Sequence, residues 1–110
     1  MKKGYEELIQ AAKDALKNAY APYSKFKVGA AVLTKKGNIY RGCNVENSSY
    51  GLTVCAERNA IANAVAHGEK EFEAVAIVTR SGKMRTPCGA CRQTIIEFGK
   101  DIQVIICNLK

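Results

Sequence analysis

No run of this chain approaches the roughly 20 consecutive apolar residues that a membrane-spanning helix needs. Its opening, "MKKGYEELIQ", carries two lysines but no apolar stretch of signal-peptide type behind them, so a cytoplasmic location with no membrane partner is expected. The five cysteines are odd in number and come without a secretory signal, which argues against a disulfide framework and for reduced thiols or metal binding. Also missing is a basic stripe interleaved with aromatics. The net charge of +7 is scattered over Lys2, Lys3, Lys13, Lys17, Lys25, Lys27, Lys35, Lys36 and others, which reads as a solvated surface rather than a nucleic-acid footprint. No internal repeat, low-complexity tract or linker is visible. What remains is 110 residues, 47% hydrophobic and 25% charged, the composition expected of one globular domain over residues 1–110.

Along the chain, "YEELIQAAKDALKNAY" places Leu8, Ile9, Ala12, Leu16 and Ala19 at helical steps and stops before Pro22. The runs "KVGAAVL" and "NIYRGCNVE" read as two strands joined by "TKKG", where Gly37 can take a positive φ and close a hairpin. Gly29, Ala30 and Ala31 are small enough for a helix to lie close on the first of them. Residues 53–67 read as a second helix ending at Gly68, "FEAVAIVT" as a strand covered on both faces, "CGACRQTIIEFG" as a short helix closed by Gly99, and "IQVIIC" as a last buried strand. The order α, β, β, α, β, α, β contains two strand–helix–strand units in its second half. Such units predict parallel neighbours, right-handed crossovers and a helix-flanked α/β sheet.

Three cysteines fall at predicted helix starts, Cys55 on one helix and Cys88 with Cys91 on the next. A helix N-terminus lowers a thiol's pKa toward the thiolate that binds metal. The Cys-x-x-Cys spacing aims two sulfurs at one spot, and in a parallel sheet the helix starts gather at the carboxyl ends of the strands. Three thiolates make an open Zn²⁺ site with its fourth tetrahedral position free for water; a closed structural site would need Cys43, Cys107 or His67 as well. With Zn²⁺ such a cluster carries a net charge of −1, which makes bound water less acidic. Helix dipoles and Arg58, one residue past a carboxylate, are expected to draw charge off the sulfurs, with Arg92 a weaker choice. Glu57 lies two residues from Cys55, near enough to reach a water on the metal without ligating it. Asn44 and Glu46 end a strand at i and i+2, on one face, and both accept hydrogen bonds from hydroxyls. A carboxylate there repels phosphate, which argues against a nucleotide or polynucleotide ligand.

The combination C-A-E, twenty-nine residues (58 to 86), then P-C-x-x-C resembles the zinc nucleoside and nucleobase deaminases, in the variant with Cys in place of His. "AYAPYSKFKVGAAVLTKKGNIYRGCNVENSSYG", "CAERNAI" and "PCGACRQTIIEFG" extend the likeness to the small homotetrameric cytidine deaminases over residues 5 to 108. The resemblance implies a three-layer α-β-α sheet with a β-hairpin at one edge. It implies hydrolytic deamination of cytidine and deoxycytidine by zinc-activated water, with Cys55, Cys88 and Cys91 as zinc ligands and Glu57 as proton shuttle. It also implies Phe26 against the pyrimidine, and Asn44 with Glu46 on the ribose hydroxyls. A homotetramer is expected, with Tyr50 in a contact between subunits. The small cytidine deaminases continue past "CNLK" with a strand and a segment that lends an aromatic to a neighbour's site. That segment is expected to be missing here, which makes a dimer the fallback. Alternatives are a deaminase of another amino-heterocycle, blasticidin-type or nucleobase, for which the ribose-binding "NVEN" would have no use, and a non-catalytic zinc-stabilised RNA-binding module.

Overall fold

A computed structural model describes residues 4–49, 52–80, 89–99 and 101–109, and the side chains of all of these except 89–91. Tyr50 lies outside them. Helix α1 spans Tyr5–Leu16, with Glu6 and Glu7 in its first turn, where the helix dipole favours negative charge. It ends four residues before the sequence pattern does. Asn18 and Ala19 close the last turn with bonds to Ala15 O and Leu16 O, and Tyr20 is already paired like a strand residue: its N–H donates to Asn44 O and its carbonyl accepts from Glu46 N.

Strands β1 (Val28–Thr34) and β2 (Ile39–Cys43) form the hairpin, and Gly37 takes a φ of 92° in its turn. Helix α2 covers Ala56–Ala66, β3 Phe72–Thr79, α3 Gly89–Phe98 and β4 Gln103–Asn108. The sheet order is β2-β1-β3-β4, with β1 antiparallel to both neighbours and β3 parallel to β4. Of the two strand–helix–strand units, only β3-α3-β4 yields parallel neighbours. β2 and β3 also run the same way, but the hairpin folds back and inserts β1 between them.

The sheet carries helices on both faces. Leu8 and Ala12 of α1 pack on Ala31, Leu33, Ala74, Ala76 and Val78. On the other face Ala56, Ala60, Ile61 and Ala64 of α2, with Ile95 of α3, cover Ala30, Val32, Val75 and Ile77. Burial of both faces explains the unbroken apolar run of β3. Small residues let the layers approach. A Cβ on Gly29 would fall 2.1 Å from Ala12 O, and one on Gly42 would fall 2.3 Å from Ala60 N, so α1 and α2 press on the hairpin from opposite sides. β4 is less buried than its composition predicts because it is the sheet edge; Val104 is 41% exposed. No helix among the described residues is long and apolar enough to cross a membrane.

Candidate active site

The segments on either side of the site are tied together by a short ribbon. Val45, just past β2, bridges Tyr20 on one side and Val54 on the other, with the Val45 and Val54 N–H groups each donating to the other's carbonyl at 3.0 and 2.9 Å. This brings the end of β2, the start of β1 and the start of α2 to one place. Cys55 is the N-cap of α2, with extended φ and ψ of −71° and 155°, so its side chain stands at the positive end of the helix. Glu57 lies in the first turn and is 6% exposed.

A cavity of about 190 Å³ opens there, lined by Ser24, Phe26, Val28, Asn44, Glu46, Thr53, Cys55, Ala56, Glu57 and Ile77. It brings together Phe26, Asn44, Glu46, Cys55 and Glu57 from three separate stretches of chain. Among the described residues, larger hollows of about 420, 530 and 400 Å³ are lined by no cysteine.

Asn44 is buried and committed at both ends of its amide: Oδ1 accepts from Val28 N at 2.9 Å, and Nδ2 donates to Phe26 O at 2.9 Å. Those bonds fix Phe26 at the cavity wall, and one N–H and one lone pair remain. Glu46 accepts from Tyr23 N at 3.0 Å, from Ser24 N at 3.1 Å and from the Ser24 hydroxyl. Those bonds, the Ser24 hydroxyl first, hold its carboxyl below the usual carboxylate range, with a small further pull from Lys25. A carboxylate offers about four acceptor positions, so one is left for a ligand hydroxyl. Ser24 Oγ in turn accepts from Phe26 N at 3.0 Å, and Lys25 between them adopts a left-handed φ of 61°.

Arg58 Nη2 donates to Thr53 O at 3.1 Å and lies 4.0 Å from Cys55 Sγ. Arg92 is exposed on α3. Cys88 lies outside the described residues, and of Cys91 only the backbone is described, in the first turn of α3. The described part of the donor set suits a zinc ion: a thiol at a helix N-terminus with a guanidinium beside the sulfur, two features that favour thiolate. Cys43, Cys107 and His67 do not line the cavity. Cys43 sits half-buried at the end of β2, where burial pushes its thiol pKa up. His67 caps the far end of α2, its ring 4.9 Å from that of Tyr40 and its Nδ1 2.8 Å from Asn63 O.

Sequence reasoning missed Ser24 and Thr53. Ser24 had a signal, a hydroxyl two residues before Phe26, the spacing of a local turn bond to the backbone. Thr53 Oγ1 accepts from Asn47 N at 3.1 Å, closing the loop ahead of α2, and nothing in the linear pattern marks it.

A cytidine deaminase from Sporosarcina psychrophila is 51% identical over 96% of this chain and 78% of its own length. A probable cytidine deaminase from Dictyostelium discoideum is 50% identical over 91% of this chain and 68% of its own. The crystal structure of cytidine deaminase from Burkholderia pseudomallei superposes with a TM-score of 0.90 at 50% identity, covering 100% of this chain and 87% of that one. A family model for the cytidine and deoxycytidylate deaminase zinc-binding region matches residues 2–108, and the chain belongs to that family of zinc-dependent hydrolases.

Proposed function

We propose that this protein hydrolyses cytidine and deoxycytidine to the corresponding uracil nucleosides and ammonia. The observation that carries the reading is the cavity in which Cys55 and Glu57 meet Phe26, Asn44 and Glu46. Zinc, held by Cys55, Cys88 and Cys91, supplies Lewis-acid activation of the attacking water when bound. Glu57 is placed to take the two protons of the attacking water in turn, handing the first to the pyrimidine ring nitrogen and the second to the departing amine, which leaves as ammonia. Its burial beside the apolar Ile77 and Phe26 keeps bulk solvent from competing for them. Phe26 packs against the base. The free N–H of Asn44 and the remaining acceptor position of Glu46 bind the ribose hydroxyls, and the negative charge of Glu46 selects against a nucleotide. Arg58 draws charge from the Cys55 sulfur.

The reading includes a homotetramer, with a dimer as the fallback, working in cytoplasmic pyrimidine salvage. Support for assembly comes from apolar side chains left exposed, Leu52 at 65% and Ile96 at 54%. Incubating the zinc-loaded protein with cytidine and following the loss of cytidine absorbance and the release of ammonia tests the activity. Stoichiometric uridine and ammonia are expected; no turnover at millimolar cytidine overturns the reading.

A further inference from the structure

The bonds that hold α2 to β2 repeat at matched intervals. Asn59 Nδ2 donates to Cys43 O at 2.8 Å, and Asn63 Nδ2 to Arg41 O at 3.1 Å. Four residues of helix advance about 6 Å, and two residues of strand advance about 6.6 Å. The two rungs are therefore in step, and sliding the helix by one residue breaks both. Their acceptors belong to a sheet-edge strand, where alternate carbonyls have no neighbouring strand to serve. Between the rungs, Gly42 leaves the two backbones in direct contact with Ala56 and Ala60.

The nearer rung ends on the carbonyl one residue before Asn44 and starts two residues after Glu57. The Asn59 main-chain N–H also closes the first turn of α2 onto Cys55 O, at 3.1 Å. One side chain therefore joins the helix end that carries Glu57 to the strand end that carries Asn44 and Glu46.

We propose that Asn59 is a positioning residue that sets the register between the proton-transferring end of the site and its ribose-binding end. The proposal rests on the deaminase reading above. A substrate held at both ends feels an error in that register; one without ribose hydroxyls is free to follow Glu57 alone. Asn63 makes the same kind of bond one turn away, holds the helix, and leaves the separation of the two ends unchanged.

The test compares Asn59→Ala, Asn59→Asp and Asn63→Ala on cytidine and on its 2′,3′-dideoxy analogue, with Tm, zinc content and amide exchange at residues 59–61 measured alongside. Alanine favours helix, so α2 is retained in the alanine variants. Asn59→Ala is expected to lower kcat/KM for cytidine on the order of 10- to 100-fold, the scale of an ångström-level misplacement. The dideoxy analogue should change by less than about threefold, so the preference for cytidine collapses. Asn59→Asp, which cannot donate, behaves alike. Asn63→Ala keeps the wild-type preference even where its Tm falls as far. Equal proportional losses on both substrates, or the same collapse in Asn63→Ala, overturns the proposal. If the wild type turns over neither substrate, the deaminase reading fails by itself and exchange decides the register. Faster exchange at residues 59–61 in Asn59→Ala alone supports it, and unchanged exchange overturns it.

Discussion

The two ends of α2 each bury a glutamate to nearly the same extent, Glu57 at 6% exposure and Glu69 at 8%, and use it in opposite ways. Just past the C-terminal end, Glu69 is filled with donors. Asn38 Nδ2 reaches it at 2.8 Å, and the hydroxyls of Tyr40 and Thr34 bond it too. The bond from Tyr40, then those from Asn38 and Thr34, hold its carboxyl below the usual range against the opposing pull of burial, with a small contribution from Lys36; the same pairing raises the Tyr40 phenol. At the N-terminal end Glu57 faces a hollow beside a thiol. Burial alone therefore does not mark a working carboxylate. What separates the two is whether donors already occupy the oxygens: a saturated group holds the chain together, and one facing open space has room to exchange a proton with a ligand. Glu46 stands between them, with one acceptor position left.

The sharpest break comes from Cys55→Ala, which removes a proposed zinc ligand from the N-terminal end. Zinc content is expected to fall from one per chain toward zero and turnover to become undetectable; metal analysis of protein purified without added zinc reads it. Glu57→Gln should keep shape and metal but remove the proposed proton carrier, so kcat should drop at the upper end of the roughly 100- to 10,000-fold range for general acid–base groups. Its Tm should stay close to wild type, and a variant within tenfold of wild-type activity would assign the proton transfer to another group.

Glu46→Gln comes next. Losing a charged acceptor for a hydroxyl should lower kcat/KM for cytidine on the order of 10-fold, with zinc content unchanged. Wild-type protein should also use cytidine monophosphate poorly, and equal kcat/KM on nucleoside and monophosphate would contradict the charge argument.

The smallest effect belongs to the saturated end. Glu69→Gln should leave kcat untouched and lower Tm by a few degrees at pH 7. Because the folded carboxyl titrates below the unfolded value of about 4.3, its contribution is present above that pH and is lost as pH falls through the folded value. The Tm gap between Glu69→Gln and wild type should therefore be widest near neutrality and shrink below about pH 4. A gap independent of pH would remove the distinction between the two ends.

The order of seven elements was legible because each has its own period or apolar run, and Gly37 and Gly29 announced a turn and a close contact. Sheet order was not. Nothing local in β2, α2 or β3 says that β1 lies between the strands, since strand neighbours are chosen by long-range pairing. The residues lining the cavity were legible where a motif marks them, as with Cys55 and Glu57, or where two acceptors share a strand face, as with Asn44 and Glu46. Ser24, Thr53, Asn59 and Asn63 escaped because each serves a backbone group, and which backbone groups need serving is settled only once the chain has folded. The same cause qualifies the reading of Asn44, whose amide is largely spent on holding Phe26 and Val28.

The hairpin of β1 and β2 has two unlike extremities, and the difference is a guide to engineering. Near the site, Gly29 and Gly42 lie one row apart, each pressed by a different helix, so neither position admits even a methyl group without moving backbone. At the tip, Lys35, Lys36 and Gly37 are exposed, and Gly37 has no atom within 4 Å of where a side chain would start. A library that randomises the hairpin should return almost no survivors at its base and many at Lys35 and Lys36, while Gly37, at a φ of 92°, should stay glycine. An epitope tag, a fluorophore attachment point or a surface-immobilisation linker therefore belongs between Lys35 and Asn38, at the opposite end of the strands from Asn44 and Phe26.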